Sequence, residues 1–227
     1  MNIIKYHKIF LSISGILTLA GIAAIVAFGF NPGIDFVGGT MWQIRLITSN
    51  QQLTANNIKD FFENDLGVKN ITIFSADNNS FLVRLGHISE AEHQQYLMSL
   101  KSKFGNMEEL RFDGVGPTIG KELRNKSFWA ITLVLLGISI YIAFAFRKVS
   151  YPIKSWKYGV ITLVTLFHDI LIPAGMMAIL GKFFGIEADA NFIVALLVIM
   201  GFSVHDTIVV FDRIRENLLL GRGRQEL

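Results

Sequence analysis

Apolar residues run in four long blocks along this chain, with polar residues gathered between them. Ile9 to Phe30 carries no charge, and neither does Ser127 to Phe146. Tyr158 to Leu180 is interrupted by His168 and Asp169, and Ala190 to Phe211 by His205 and Asp206. Each block has the length, roughly 20 residues, that a helix needs to cross a bilayer. The pattern predicts transmembrane helices within 1–30 and over 127–146, 158–180 and 190–211. Lys5 and Lys8 before the first block also suit a signal peptide. Its apolar run exceeds the roughly 7–15 residues of a signal core, which predicts an uncleaved anchor.

The stretch 31–126 changes period. TMWQIRL (40–46) alternates as a strand does. LTANNIKDFFENDLG (53–67) predicts a helix with Thr54 as N-cap and Gly67 as stop. ITIFSA (71–76) and SFLVRLG (80–86) flank Asp77-Asn78-Asn79, which is the turn chemistry of a hairpin. ISEAEHQQYLMSLKSKFG (88–105) predicts a second helix, capped by Ser89 and stopped at Gly105, and MEELRFDGVG (107–116) a last strand. The order is β-α-β-β-α-β, the ferredoxin-like pattern. The expected fold class is thus an α-helical multi-span membrane bundle with an inserted α+β ferredoxin-like domain. Two glycine-rich pieces bracket that domain, GIDFVGGT (33–40) and GVGPTIGKEL (114–123). They are expected to be tight connectors or a hinge on which the domain swings.

Composition agrees with the spans. Hydrophobic residues make up 52% of the chain, too many for an ordinary soluble domain. There is no cysteine, which excludes disulfides, thiolate metal sites and a cysteine nucleophile. The net charge of +3 gives no reason to expect nucleic acid. Its placement says more. Lys5 and Lys8 precede the first span, and Arg147, Lys148, Lys154 and Lys157 fill the 147–157 loop. Arg213, Arg215, Arg222 and Arg224 follow the fourth span, whereas the 181–189 loop sets Lys182 against Glu187 and Asp189. The excess of Lys and Arg predicts a cytoplasmic N-terminus, 147–157 loop and 212–227 tail, with 31–126 outside. In the tail, Phe211, Ile214, Leu218 and Leu219 form an apolar stripe beside the arginines. That stripe suits an amphipathic continuation on the membrane surface; a basic flank that sets topology is the plainer reading.

A charged carboxylate at mid-bilayer costs roughly 2.5–3.5 kcal/mol on insertion scales, so Asp169 and Asp206 are expected to be neutral, paired or in contact with water. Intramembrane acids are functional candidates by that argument. Ser203 lies one turn before Asp206, and small Gly201 and Ser203 allow a neighbouring helix close. Span four is therefore expected inside the bundle with a polar seam. Asp169 is expected to tie spans three and four by hydrogen bonds, or to carry protons. His168 and His205 suit hydrogen bonding first and a proton relay second; spacing gives no support to a metal site. Two acids in adjacent spans leave an intramembrane aspartyl protease open as well.

GIDFVGGT after the first span, GVGPTIGKEL before the second and GFSVHDTIVVFDRIREN (201–217) through the end of the fourth together resemble the SecF family. These are membrane subunits of the SecD–SecF accessory complex of bacterial protein export, with the fold of the resistance–nodulation–division superfamily. The resemblance covers essentially the whole chain. It implies a non-enzymatic, cofactor-free subunit of the plasma membrane that uses the proton-motive force to promote export. Its implied partners are SecD, the SecYEG channel, YajC, secreted preproteins and lipid. It implies Asp206 as the acid of proton passage, with Asp169 and His205 as accessory candidates. It makes Gly33, Ile34, Asp35, Phe36, Gly38, Gly39, Thr40, Gly116, Pro117, Gly120, Asp212 and Arg213 motif residues. The family often has Asn where this chain has His205. It also has six spans, and its fifth carries an arginine that works with the acid. The sequence is thus expected to be a piece of a longer protein that does not conduct protons alone. A small-molecule efflux subunit and a passive scaffolding subunit remain as alternatives.

Overall fold

The computed structural model describes residues 3–47, 53–76, 79–147 and 154–223. The chain divides into two compact units, residues 32–125 and the remainder.

The 32–125 unit is built on an antiparallel sheet of β1 (Gly39–Leu46), β2 (Thr72–Ala76), β3 (Ser80–Leu85) and β4 (Met107–Val115), in the order β2-β3-β1-β4. With α3 (Ala55–Asp60) and α4 (Glu90–Phe104) this is the ferredoxin-like arrangement. A short helix, α2 (Ile34–Val37), leads into β1. Alternation along β1 puts Thr40, Trp42, Ile44 and Leu46 inside. Trp42 pairs with Val83 on one side and Phe112 on the other, and a bulge follows at Gln43/Ile44. Phe62, Ile58, Val83 and Leu100 complete the core at full burial, each side chain of this size contributing about 1.5–3 kcal/mol.

The caps follow the sequence. Thr54 and Ser89 each close a capping box, with Asn57 and Glu92 respectively, and Gly105 ends α4 at φ 87°. One departure is informative. The helix expected over 53–67 is α-helical only to Asp60; Phe61–Asp65 forms a π-turn. The wider turn lets the adjacent Phe61 and Phe62 both reach the core. Of the expected hairpin turn, Asp77 and Asn78 lie outside the described residues, and Asn79 takes the left-handed conformation at φ 54°.

The other unit contains the four long apolar helices: α1 (His7–Phe28), α5 (Pro117–Ala145, in this unit from Lys126), α6 (Ser155–Phe184) and α7 (Ala190–Gly223). Each is long and apolar enough to cross a membrane. Leu135 of α5, Leu166 and Ile170 of α6, and Leu196 and Met200 of α7 form one core. Ile142, Phe146, Tyr158 and Phe211 form a second.

Two expectations are corrected here. GVGPTIGKEL is no connector throughout, because helix α5 begins at Pro117. A proline at the first helical position has its φ already set and lacks only an N–H that would go unused. The tail after span four continues α7 without a break to Gly223. Phe211 is buried and Ile214 packs beside it, so the start of the apolar stripe faces other helices. The side chains of Leu218, Leu219 and Arg222, and residues Arg224 and Lys148, lie outside the described residues.

Candidate functional site

The face that α7 buries is set by its large apolar residues. Leu196, Met200 and Phe211 turn toward α5 and α6. At 3.6 residues per turn, Asp206 lies about 120° from Met200 and about 140° from Phe211. It is accordingly exposed within this chain, with Gly201, Phe202, His205, Val209 and Val210 around it. Among the described residues Asp206 has no hydrogen-bond or ion-pair partner. The residues of the expected polar seam thus lie on a face that the described chain leaves open. Ser203 and Thr207 turn partly inward beside Val204 and Ile208, and Thr207 Oγ1 donates to the Ser203 carbonyl at 2.8 Å. The Ser203 hydroxyl oxygen is itself buried without a partner.

Asp169 sits in a different setting. Its Oδ1 lies 2.7 Å from His168 Nδ1, and His168 Nε2 lies 2.5 Å from Ser14 Oγ on α1. The polar chain therefore ties span three to span one, and not to span four as expected. Two glycines make this possible. A Cβ on Gly175 would fall 2.3 Å from Gly21 Cα, and one on Gly21 would fall 2.6 Å from the Leu171 carbonyl oxygen. With no side chains between them, the two backbones come close enough for Ser14 to reach the imidazole. Neither Asp169 nor His168 was matched to Ser14 in the sequence.

The two acids do not form a dyad. Asp169 is occupied by His168, and Asp206 faces away from α6, so a shared-proton protease pair has no support. The His–Asp pairs do not converge either: among the described residues no three His, Cys, Asp or Glu side chains gather as for a metal.

The glycine motifs meet within the 32–125 unit. Gly33 precedes α2, whose Ile34 and Phe36 are buried. Gly38 at φ 79° would place a Cβ 2.8 Å from Pro117 Cα, and Gly120 would place one 2.8 Å from Gly38 N. Gly39 at φ 143° lies against the Leu85 carbonyl. Thr40 is fully buried and its hydroxyl accepts from the Ile88 N–H at 3.4 Å. Arg84 donates to the Pro32 carbonyl at 3.1 Å. Asp35 is partly buried, and Gly116 has open space where a side chain would be. Asp212 and Arg213, about two turns beyond Asp206, are held in ion pairs to Arg215 and Glu216 respectively.

Residues 95–225 match the family described as protein export membrane protein SecD/SecF, C-terminal, and residues 23–46 match the SecD/SecF GG motif. The chain is 43% identical to protein translocase subunit SecF of Thermobaculum terrenum, over 98% of this chain and 72% of that protein. It is 35% identical to protein translocase subunit SecF of Anaerolinea thermophila, over 96% of this chain and 69% of the relative. The crystal structure of SecDF, a translocon-associated membrane protein from Thermus thermophilus, is similar with a TM-score of 0.76 at 32% identity. That match covers 97% of this chain and 28% of the longer one. Spans, inserted sheet and glycine motifs all fall within these matches, and the chain belongs to the SecF family of protein-export membrane proteins.

Proposed function

We propose that this chain is the SecF subunit of a Sec accessory complex and uses the proton-motive force to promote export of secretory proteins across the plasma membrane. The observation that carries the proton coupling is Asp206, a carboxylate at span depth that nothing in the described chain covers or pairs. An uncovered charge there is costly, so the residue must cycle through a neutral form, or meet a cation or water supplied by a partner. Moving one charge through 100 mV is worth roughly 2.3 kcal/mol. One pH unit adds about 1.4 kcal/mol. Either is enough to bias a two-state packing equilibrium of α7.

SecD is the first candidate to cover that face, together with the further residues that the longer relatives possess. SecYEG, YajC and the exported preproteins follow as functional partners. The clustering of Lys and Arg supports cytoplasmic termini and an extracytoplasmic 32–125 unit. In this reading the subunit performs no covalent chemistry, His205 tunes the setting of Asp206, and Asp169 is a second proton carrier.

The test is Asp206→Asn in the full-length chain assembled with SecD, with preprotein translocation measured with and without a proton gradient. The gradient-stimulated part of export is expected to disappear while the gradient-independent part remains. An unchanged response to the gradient refutes the assignment.

A further inference from the structure

The Ser14–His168–Asp169 chain carries more than a helix contact needs. His168 and Asp169 are each about one-third exposed within this chain. Pro173 stands four residues after Asp169 and has no N–H, which leaves the Asp169 carbonyl without its usual helical donor. An extra acceptor thus stands beside the carboxylate, where it can hold a water. Broken helical bonding beside a polar site is how membrane helices make ion and proton positions.

Among the described residues no other charge is paired with the imidazole. α1 carries none from Ile9 to Phe28, its nearest being Lys8 more than a turn below Ser14. On α5 the only titratable group between Ser127 and Ala145 is Tyr141, which is exposed. On α7 there are His205 and Asp206. Tyr158 meets Phe211 at 4.9 Å between ring centres, so the antiparallel pair sets Asp206 near the level of Thr162 and away from His168.

From this geometry we infer that Ser14, His168 and Asp169 form a proton relay, with the Ser14 hydroxyl as its entry. The inference rests on the proton-coupled reading above and adds to it the path by which Asp169 is loaded. With Asp169 charged, His168 holds its proton on Nδ1 and accepts from the Ser14 hydroxyl at Nε2. Ser14 Oγ takes a proton from a hydronium ion, which leaves as water, as its own hydroxyl proton passes to Nε2. The imidazolium then releases its Nδ1 proton to Asp169 Oδ1. One proton has entered at Ser14, one has arrived on the carboxylate, and the ring has changed tautomer; Asp169 then passes its proton to water beside its free carbonyl, and a turn of the imidazole restores the first tautomer. A hydroxyl suits this role because it both accepts and donates. The tie between the spans therefore survives each protonation state of the ring.

Ser14→Ala and Ser14→Thr in the full-length chain with SecD, reconstituted in vesicles with an internal pH dye, test this. Ser14→Ala is expected to lower gradient-driven proton flux by about tenfold or more, the loss typical of a positioned proton-transfer group, and Ser14→Thr to keep most of it. Nitrogen-15 spectra of His168 give the second readout. Its Nε2 signal is expected to be altered by Ser14→Ala and retained in Ser14→Thr. Wild-type flux in Ser14→Ala overturns the relay, as does equal loss in both variants. If the wild-type assembly passes no protons, the reading of Asp206 fails. The relay then stands or falls on the His168 spectra alone: an Nε2 signal indifferent to Ser14→Ala refutes it.

Discussion

Gly21 and Gly175 bring α1 and α6 into backbone contact, so close that a methyl group on Gly175 would lie 2.3 Å from Gly21 Cα. Neither helix can yield locally, since the atoms met are backbone. Gly175→Ala is therefore expected to separate the two helices and cost about 1–3 kcal/mol or more. Thermal unfolding in detergent measures the loss. The His168 nitrogen spectrum should change with it, because Ser14 is carried away from the ring. Gly15→Ala, with open space around it, is the control expected to leave both unchanged.

Much of this architecture is legible in the sequence. Span length and the absence of charge give the four long helices, and Ser89, Thr54 and Gly105 announce helix ends by chemistry that acts locally. What is not legible depends on meetings across the chain. Ser14 looks like one tolerated hydroxyl in an apolar run, and its partner lies 154 residues away. The small residues near Asp206 suggest an interior position, yet Met200 and Phe211 decide which face is buried. Glycine at 38 and 120 signals freedom or closeness, but only the fold shows that Pro117 backbone fills the space at 38 and Gly38 and Phe36 backbone the space at 120.

In the 32–125 unit, Glu109 accepts from Trp42 Nε1 at 2.9 Å and lies 2.6 Å from His93 Nε2, with His93 stacked on Phe112 at 3.8 Å. Trp42 and His93 are both buried. Glu109→Ala strands two polar groups, each at a cost of about 1–3 kcal/mol. The expected result is a lower unfolding midpoint and a shifted Trp42 emission, read with Trp129 and Trp156 replaced by Phe. An unshifted emission would show that water takes over both bonds.

Acid should loosen the start of α4. The Ser89 backbone N–H and hydroxyl donate to the Glu92 carboxylate at 2.7 and 2.8 Å. The backbone bond first, and the hydroxyl second, hold that carboxyl below its ordinary value of 4.5. A depressed folded value stabilises the fold above the unfolded value, and the contribution fades as pH falls from 4.5 through the lower one. The unfolding midpoint of the wild type should exceed that of Glu92→Gln at neutral pH, and the gap should close in acid. A gap that stays constant with pH would contradict the assignment.

The glycine motif admits a sharper test, because two of its glycines differ in surroundings. Gly38 has φ 79°, and its missing side chain would meet Pro117 Cα at 2.8 Å and Pro117 N at 2.9 Å. Gly116, adjacent to that proline, would meet nothing. An alanine at 38 must adopt a left-handed backbone and also push back the first turn of α5, and each demand costs about 1–3 kcal/mol. An alanine at 116 meets neither demand and should stay within about 0.5 kcal/mol of wild type. Amide exchange of the full chain in detergent, read on β1 and β4, measures both. Gly38→Ala should speed exchange at Thr40 and Asp113, which face neighbouring positions of the β1–β4 ladder, while Gly116→Ala leaves them protected. If the two variants exchange alike, the motif's glycines serve a purpose other than this close approach.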